Sequence, residues 1–344
     1  MDILVIGGTG FISGHLVKKL LHANHSVTIL TRGISQCSLF DSSRMKVIIG
    51  DRNQESSLRK AIEKTTFDVV FDMVAYEREQ SAAAVKVFQG KVGRFIHCST
   101  VSVYMVSNEV QCPITEDQDK TPLMEYFARN PFGMDYGIKK RQCEEILWAA
   151  HDEKTFPVTM LRPTYVSGPG DPARRDYFWI ERILDGEPLL IPGSGDHAFQ
   201  NVYIEDVAKA FVSLLDVPRS IGNAYNVAAE EIFSLTDYLH ALCRLMNRSP
   251  EYVYVDQNIF DQQSFSTSPN GDVFTFNSRR TAIFSLEKIK RDIGYQSTPF
   301  KQWMPLTIEW VVNKGRQHSA GYERRAEETD FALRWKKLLQ RERK

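Results

Sequence analysis

A doubly wound parallel α/β sheet is the fold that this sequence predicts, and three observations predict it. Short apolar runs recur through the first third of the chain, each followed by an amphipathic stretch, as strands and crossover helices alternate in a parallel sheet. The first run ends in a glycine cluster, Gly7-Gly8-Thr9-Gly10, directly before a helical pattern. The 344 residues, 42% hydrophobic and 25% charged, are ordinary globular usage, enough for one large domain or two smaller ones.

Ile3–Ile6 is continuous and apolar, as a strand buried on both faces requires. Phe11 to Leu21 follows as a helix with Ile12, Leu16, Leu20 and Leu21 on one face. Ser26–Leu30 and Met45–Ile49 read as the second and third strands and Leu58–Glu63 as a helix. Asp68–Val74 reads as the fourth strand, Ser81–Phe88 as a helix and Phe95–Cys98 as the fifth strand. From Gln111 to Pro131 the pattern lapses into a long loop. Tyr136–Ala150 is helical, and Val158–Arg162 is a sixth strand ending at Pro163. Past Gly168-Pro169-Gly170 the elements shorten: helices at Tyr177–Leu184, Ile204–Leu215 and Leu235–Met246, strands near Leu189–Ile191 and Ala224–Val227. The last segment, Lys314–Lys344, holds ten Lys/Arg against five Asp/Glu, with Phe331, Trp335, Leu338 and Leu339 at helical spacing. An amphipathic terminal helix docked on the body is expected, its basic surplus either solvated or open to an anionic partner.

With 43 Lys+Arg against 43 Asp+Glu and a pI near 7.1, no global field draws a phosphate backbone, which counts against a dedicated nucleic-acid binder. No apolar run reaches the roughly 18 residues that span a bilayer, and the N-terminus lacks the pattern of a secretory leader. A cytoplasmic protein without a membrane partner is expected. Five cysteines (Cys37, Cys98, Cys112, Cys143, Cys243) form no CxxC pair and read as core or reduced surface thiols. No two histidines stand at ligand spacing with a carboxylate, so no metal site is expected. His97 and Cys98 end a buried strand and read as core residues rather than ligands.

The glycine cluster has the context that gives it meaning: strand before, helix after. Gly7 permits the tight turn and Gly10 lets backbone approach a pyrophosphate, which the amides and dipole of the following helix hold. Ser13 takes the place of the third glycine that lets helix pack on strand, with Gly14 after it. Looser packing is expected there, with phosphate binding kept. NAD binders place an acid at the end of the second strand for the ribose hydroxyls. This chain has Leu30-Thr31-Arg32-Gly33. Arg32 suits a 2′-phosphate, so NADP is favoured over NAD, with a plain surface arginine as the alternative.

Tyr136 and Lys140 stand four residues apart on one helical face. A phenol is a poor base at neutral pH, and a nearby ammonium favours its ionised form. The run Ser99-Thr100-Val101-Ser102 follows the fifth strand, at the carboxyl edge where ligands of such sheets bind.

These blocks together resemble the short-chain dehydrogenase/reductase superfamily, in its extended epimerase/dehydratase-like branch. The matching residues are Gly7–Gly14, Gly50-Asp51, Ser99–Tyr104, Tyr136–Lys140, Leu161-Arg162-Pro163 with Gly168-Pro169, Val202–Ala208 and Gly222–Asn226. The resemblance implies a Rossmann-type sheet over 1–165, a substrate-binding lobe over 166–312 that returns elements to the sheet, and a terminal helix over 313–344. It implies catalysis by Thr100, polarising a carbonyl or alcohol, Tyr136 as acid/base, and Lys140, which lowers the tyrosine's pKa. It implies NAD(P) held by Gly7, Gly10, Phe11, Ile12, Thr31, Arg32, Asp51, Arg52, Val74, Ala75 and Lys140. A homodimer is expected by the same analogy.

The departures narrow the function. Sugar-nucleotide 4,6-dehydratases carry an Asp-Glu pair after the catalytic threonine; Val101-Ser102 stand there, which disfavours elimination. Tyr165 and Phe199 replace an amide and a cation that contact the substrate in many sugar-nucleotide enzymes. Arg174 and Arg175 either face solvent or replace that lost cation. The segment Phe71–Tyr76 and the Thr31-Arg32-Gly33 ending resemble an atypical subgroup that includes stem-loop RNA-binding proteins. The expected activity is hydride transfer between nicotinamide and a carbohydrate-like alcohol or ketone, nucleotide sugars included. Non-catalytic dinucleotide binding of the RNA-binding type stands as the alternative.

Overall fold

In a computed structural model, which describes residues 1–33, 43–63, 65–126, 133–263, 276, 279–314 and 318–342, six strands open the chain. They are β1 (Asp2–Ile6), β2 (Ser26–Thr31), β3 (Met45–Ile49), β4 (Phe67–Asp72), β5 (Val92–Cys98) and β6 (Val158–Pro163). Further strands are β7 (Tyr165–Ser167), β8 (Leu189–Pro192), β9 (Ala198–Phe199), β10 (Asn201–Tyr203), β11 (Asn223–Val227), β12 (Phe233–Ser234) and β13 (Tyr252–Val255). The main sheet has seven strands in the order β11-β6-β5-β4-β1-β2-β3, all parallel. Strand order reverses between β1 and β4, and at such a switch point the carboxyl ends open into a ligand crevice.

The first seven helices are α1 (Phe11–His22), α2 (Glu55–Ile62), α3 (Arg78–Phe88), the short α4 (Ser102–Met105), α5 (Met134–Asp152), α6 (Arg175–Asp185) and α7 (Ile204–Ser213), of which α1, α2, α3, α5 and α7 cover the sheet. Side-chain alternation explains why the inner strands are apolar throughout. Ile3 and Val5 enter the core under α1 and α7, while Leu4 and Ile6 enter the core under α3 and α5. β3 lies at the edge, and Val47 and Ile49 are exposed there.

A second core gathers α6, β8, β13, α8 (Leu235–Met246), α9 (Gln257–Asp261), α11 (Phe300–Lys314) and α12 (Arg325–Glu342), while α10 (Glu287–Ile293) packs on the first core. The terminal helix α12 docks through buried Ala332, with Phe331 and Trp335 packed beside it. Leu338 and Leu339, expected on the same docked face, remain exposed at 51% and 37%. Two buried arginines fasten α12: Arg182 donates to Glu328, and Arg325 donates to Glu328 and Asp185. No helix among the described residues is long and apolar enough to cross a membrane. Among them no group of three or more His, Cys, Asp and Glu could hold a metal ion. Cys37, the last residues of the expected 111–131 loop, and residues 315–317 and 343–344 of the terminal segment lie outside the described residues.

Candidate active site

Four residues separate β1 from α1, and they form the expected turn. Gly7 has a φ of +81°, and a Cβ on it would stand 2.4 Å from the Val74 side chain. Left-handed backbone and the close approach of the β4 end both require glycine. The looser packing expected from Ser13 is not found. Its hydroxyl donates to the Gly7 carbonyl at 2.5 Å and accepts from the Gly10 amide at 2.9 Å, so it braces the turn.

The turn faces two adjoining cavities that share Gly10, Val74 and Tyr76 in their walls. Gly7, Thr31, Arg32, Asp51 and Arg52 line the first, of about 300 Å³. Phe11, Ile12, Tyr136, Lys140, Asp171 and Arg175 line the second, of about 350 Å³. Arg52 is buried and paired with Asp72 at the end of β4, yet its Nε and Nη1 find no partner among the described residues. A buried guanidinium edge without a partner is costly unless a ligand in that cavity accepts from it.

Thr100 lies two residues past β5, and Tyr136 sits in the first turn of α5. Thr100 lies near enough to the Tyr136 hydroxyl to favour the ionised phenol, and it is tied to Ser102, donating to the Ser102 hydroxyl at 3.1 Å and accepting from the Ser102 amide at 3.2 Å. Tyr136 keeps 41% of its surface exposed, but burial around its hydroxyl raises the phenol's pKa, which nearby Thr100 and the positive field of Arg175 partly offset.

Lys140 lines the second cavity beside Tyr136, as expected, with its ammonium already engaged. Its ammonium is buried and donates to the Ala75 carbonyl at 2.8 Å, the Cys98 carbonyl at 2.7 Å and His97 Nε2 at 3.2 Å. Three protons meet three acceptors, so none is directed at Tyr136 in the ligand-free protein. Ala75, expected beside the cofactor, engages Lys140 through its carbonyl.

Gly137 was missed in the sequence, although it stands between the two residues of the Tyr–Lys motif. A Cβ there would lie 2.5 Å from the Ser102 carbonyl oxygen and from Val106. Glycine thus lets α5 lie against the segment after Thr100 and brings the two hydroxyls together. Gly137→Ala is expected to cost about 1–3 kcal/mol, as overpacking does, read as a lower urea midpoint. An unchanged midpoint would show that α5 has room to shift.

Of the four expected substrate residues, Arg175 reaches the groove. It pairs with Asp171 at 3.6 Å, and its guanidinium lies 5.6 Å from the centre of the Tyr165 ring. Tyr165 therefore backs Arg175. Arg174, with a φ of +50°, instead donates to the His318 carbonyl at 2.8 Å, in the segment leading to α12. Phe199 is 2% exposed and stacks on Phe276 at 4.7 Å, beside Tyr165 and Tyr238. Apolar burial puts that ring in the second core and not in the groove. Asp171 was also missed; burial raises its carboxyl pKa while Arg175 opposes the shift.

Known proteins share this arrangement of elements. The chain is 26% identical over 326 residues to the chloroplast stem-loop binding protein of 41 kDa b from Arabidopsis thaliana, covering 91% of this chain and 79% of that protein. It is 25% identical over 343 residues to a trifunctional UDP-glucose 4,6-dehydratase/UDP-4-keto-6-deoxy-D-glucose 3,5-epimerase/UDP-4-keto-L-rhamnose-reductase of the same plant. That match covers 90% of this chain and 47% of the relative, so the chain spans about half of its length. The fold matches that of UDP-glucuronic acid 4-epimerase from Bacillus cereus in complex with NAD, with a TM-score of 0.69 and 21% identity over 91% of this chain and 99% of that one. A family model describing the NAD dependent epimerase/dehydratase family matches residues 3–228. The chain belongs to the NAD dependent epimerase/dehydratase family.

Proposed function

We propose that this protein is an NAD(P)-dependent oxidoreductase or epimerase that moves a hydride between nicotinamide and a carbohydrate-like alcohol or ketone, with Tyr136 as acid/base. The observation that carries the reading is Tyr136, with Thr100 near its hydroxyl, in the wall of a cavity whose other wall is the glycine turn. The groove fits a dinucleotide on its own evidence: a turn that a Cβ would obstruct, and a buried arginine edge without a partner in the first cavity. Gly7, the first turn of α1, Asp51 and Arg52 would hold it. When bound, the nicotinamide supplies or takes the hydride.

The chain's own residues do the remaining work. Thr100 orients the substrate oxygen by a hydrogen bond. Tyr136, kept protonated by burial, would donate a proton to a carbonyl oxygen in the reducing direction and take it back in the reverse. Arg175 and Asp171 offer a cation and a carboxylate to the hydroxyl-rich part of a sugar. Ser102 is occupied by Thr100 and Val101 is apolar, so no acid pair stands where elimination of water would need one. A panel of keto-sugars, free and nucleotide-linked, tested for oxidation of NADPH checks the reading; failure of every member together with absence of dinucleotide binding would contradict it. The likeness to the stem-loop binding protein favours a second reading, in which the groove binds a dinucleotide without catalysis.

Arg32 follows β2, which ends in Thr31 rather than an acid, and lines the first cavity together with Asp51. NADPH is therefore expected to bind more tightly than NADH. Arg32→Ala should weaken NADPH by roughly ten- to hundred-fold, the worth of a charged hydrogen bond, and leave NADH unchanged. Calorimetry on both dinucleotides checks this, and tighter NADH binding by the unaltered protein would contradict it.

A further inference from the structure

The three acceptors of the Lys140 ammonium are not equivalent. Ala75 and Cys98 offer backbone carbonyls at 2.8 and 2.7 Å, while His97 Nε2 is more distant at 3.2 Å. His97 is wholly buried, and its Nδ1 has no partner among the described residues. Facing it are Lys140 from α5, Asp72 from the neighbouring β4 with its partner Arg52, and Arg162 from β6. Burial first, then these three cations, keep the ring uncharged. An uncharged imidazole that accepts at Nε2 carries its proton on Nδ1, here a buried donor with nothing to receive it.

Lys140 lines the second cavity beside Tyr136. A ligand hydroxyl in that cavity that accepts from the ammonium must displace one of three existing bonds. The longest is the weakest, and it is the bond to His97.

We propose that His97 sets how tightly the dinucleotide is held: its Nε2 keeps the third Lys140 proton in the ligand-free protein and gives it up on dinucleotide binding. The proposal rests on the reading of Lys140 as a cofactor-binding residue. Once the bond is released, both ring nitrogens are buried without partners, and that penalty is subtracted from the binding energy. The dinucleotide is then an exchangeable co-substrate rather than a permanently retained group. Exchange is what net reduction or oxidation needs, whereas an epimerase regenerates its cofactor in place. His97 is thus a positioning residue, acting through Lys140.

The test is calorimetric titration of the full chain with NADP⁺, using the unaltered protein, His97→Leu, His97→Gln, Lys140→Met and the double variant His97→Leu/Lys140→Met. Leucine removes the competing acceptor, so His97→Leu should bind NADP⁺ about ten-fold more tightly, the low end for a hydrogen bond to a charged group. His97→Gln, whose amide oxygen can accept the same proton, should stay near the unaltered protein. In the Lys140→Met background the His97 effect should vanish, which a merely structural role would not produce. Equal or weaker binding by His97→Leu, with Lys140→Met impaired, would overturn the proposal while leaving Lys140 as a cofactor residue. Undiminished binding by Lys140→Met would overturn the cofactor role of Lys140, and the proposal with it. Should His97→Leu fail to fold, nitrogen spectra of the histidine rings in the unaltered protein decide the matter. The His97 signal, identified by its loss in His97→Gln, should show the Nδ1–H tautomer and an Nε2 shift on adding NADP⁺. An unmoved Nε2 would overturn the proposal.

Discussion

Tyr136→Phe is expected to lower turnover by roughly 10²–10⁴-fold, the usual contribution of a positioned proton donor, and to leave NADPH affinity near its original value. Phenylalanine keeps the ring, whose centre lies 6.3 Å from that of Tyr76, and removes only the hydroxyl. Steady-state rates on the reduced keto-sugar, with calorimetric NADPH binding alongside, separate the two effects. Turnover at the original rate would remove Tyr136 from the mechanism without touching the fold.

The second large effect concerns Glu144, which makes no contact with the groove. Arg162 is wholly buried at the centre of a polar network. It donates to both Glu144 oxygens, at 2.9 and 2.5 Å, to the Asp119 carboxylate at 2.5 Å and to the Tyr104 hydroxyl at 2.5 Å. Tyr104 in turn donates to Asn226 Oδ1 at 2.8 Å, and the Asn226 amide donates to Glu116 at 2.9 Å. The network ties β6, β11 and α5 to the segment around Glu116, and so holds the helix that carries Tyr136. Removing one partner of a buried ion pair leaves the other charge uncompensated, at about 3–5 kcal/mol. Glu144→Ala should fall near the lower end, since Asp119 stays, read as a shift of the urea midpoint at unchanged slope. A change under about 1 kcal/mol would mean that Asp119 and water satisfy Arg162 without Glu144.

The sheet was legible because its inner strands are buried on both faces, which writes continuous apolar runs into Ile3–Ile6, Val69–Phe71 and Phe95–Cys98. The glycine turn was legible for a related reason: backbone shape at Gly7 is a local demand that one residue type meets. Boundaries were less so. The fourth strand stops at Asp72 rather than Val74, because Val74 turns into the groove. Two-residue strands such as Ala198–Phe199 carry no period to detect, and the helix Phe300–Lys314 was passed over.

In the site, Thr100 and Tyr136 could be placed because each follows a recognisable element. The state of Lys140 could not, since its three acceptors come from β5 and from the segment after β4, both remote in sequence. Phe199 was assigned by its place in a motif. Its actual partner, Phe276, lies far along the chain in a stretch without a recognisable pattern.

The central claim is that one groove joins the glycine turn to the Thr100–Tyr136 pair. Crystals of the protein grown with NADP⁺ test it most directly. The expected result is the adenosine end in the cavity of Arg32 and Arg52 and the nicotinamide in the second cavity, its reactive carbon facing the Tyr136 hydroxyl. A nicotinamide lying outside that cavity, or a Tyr136 hydroxyl turned away from it, would contradict the claim.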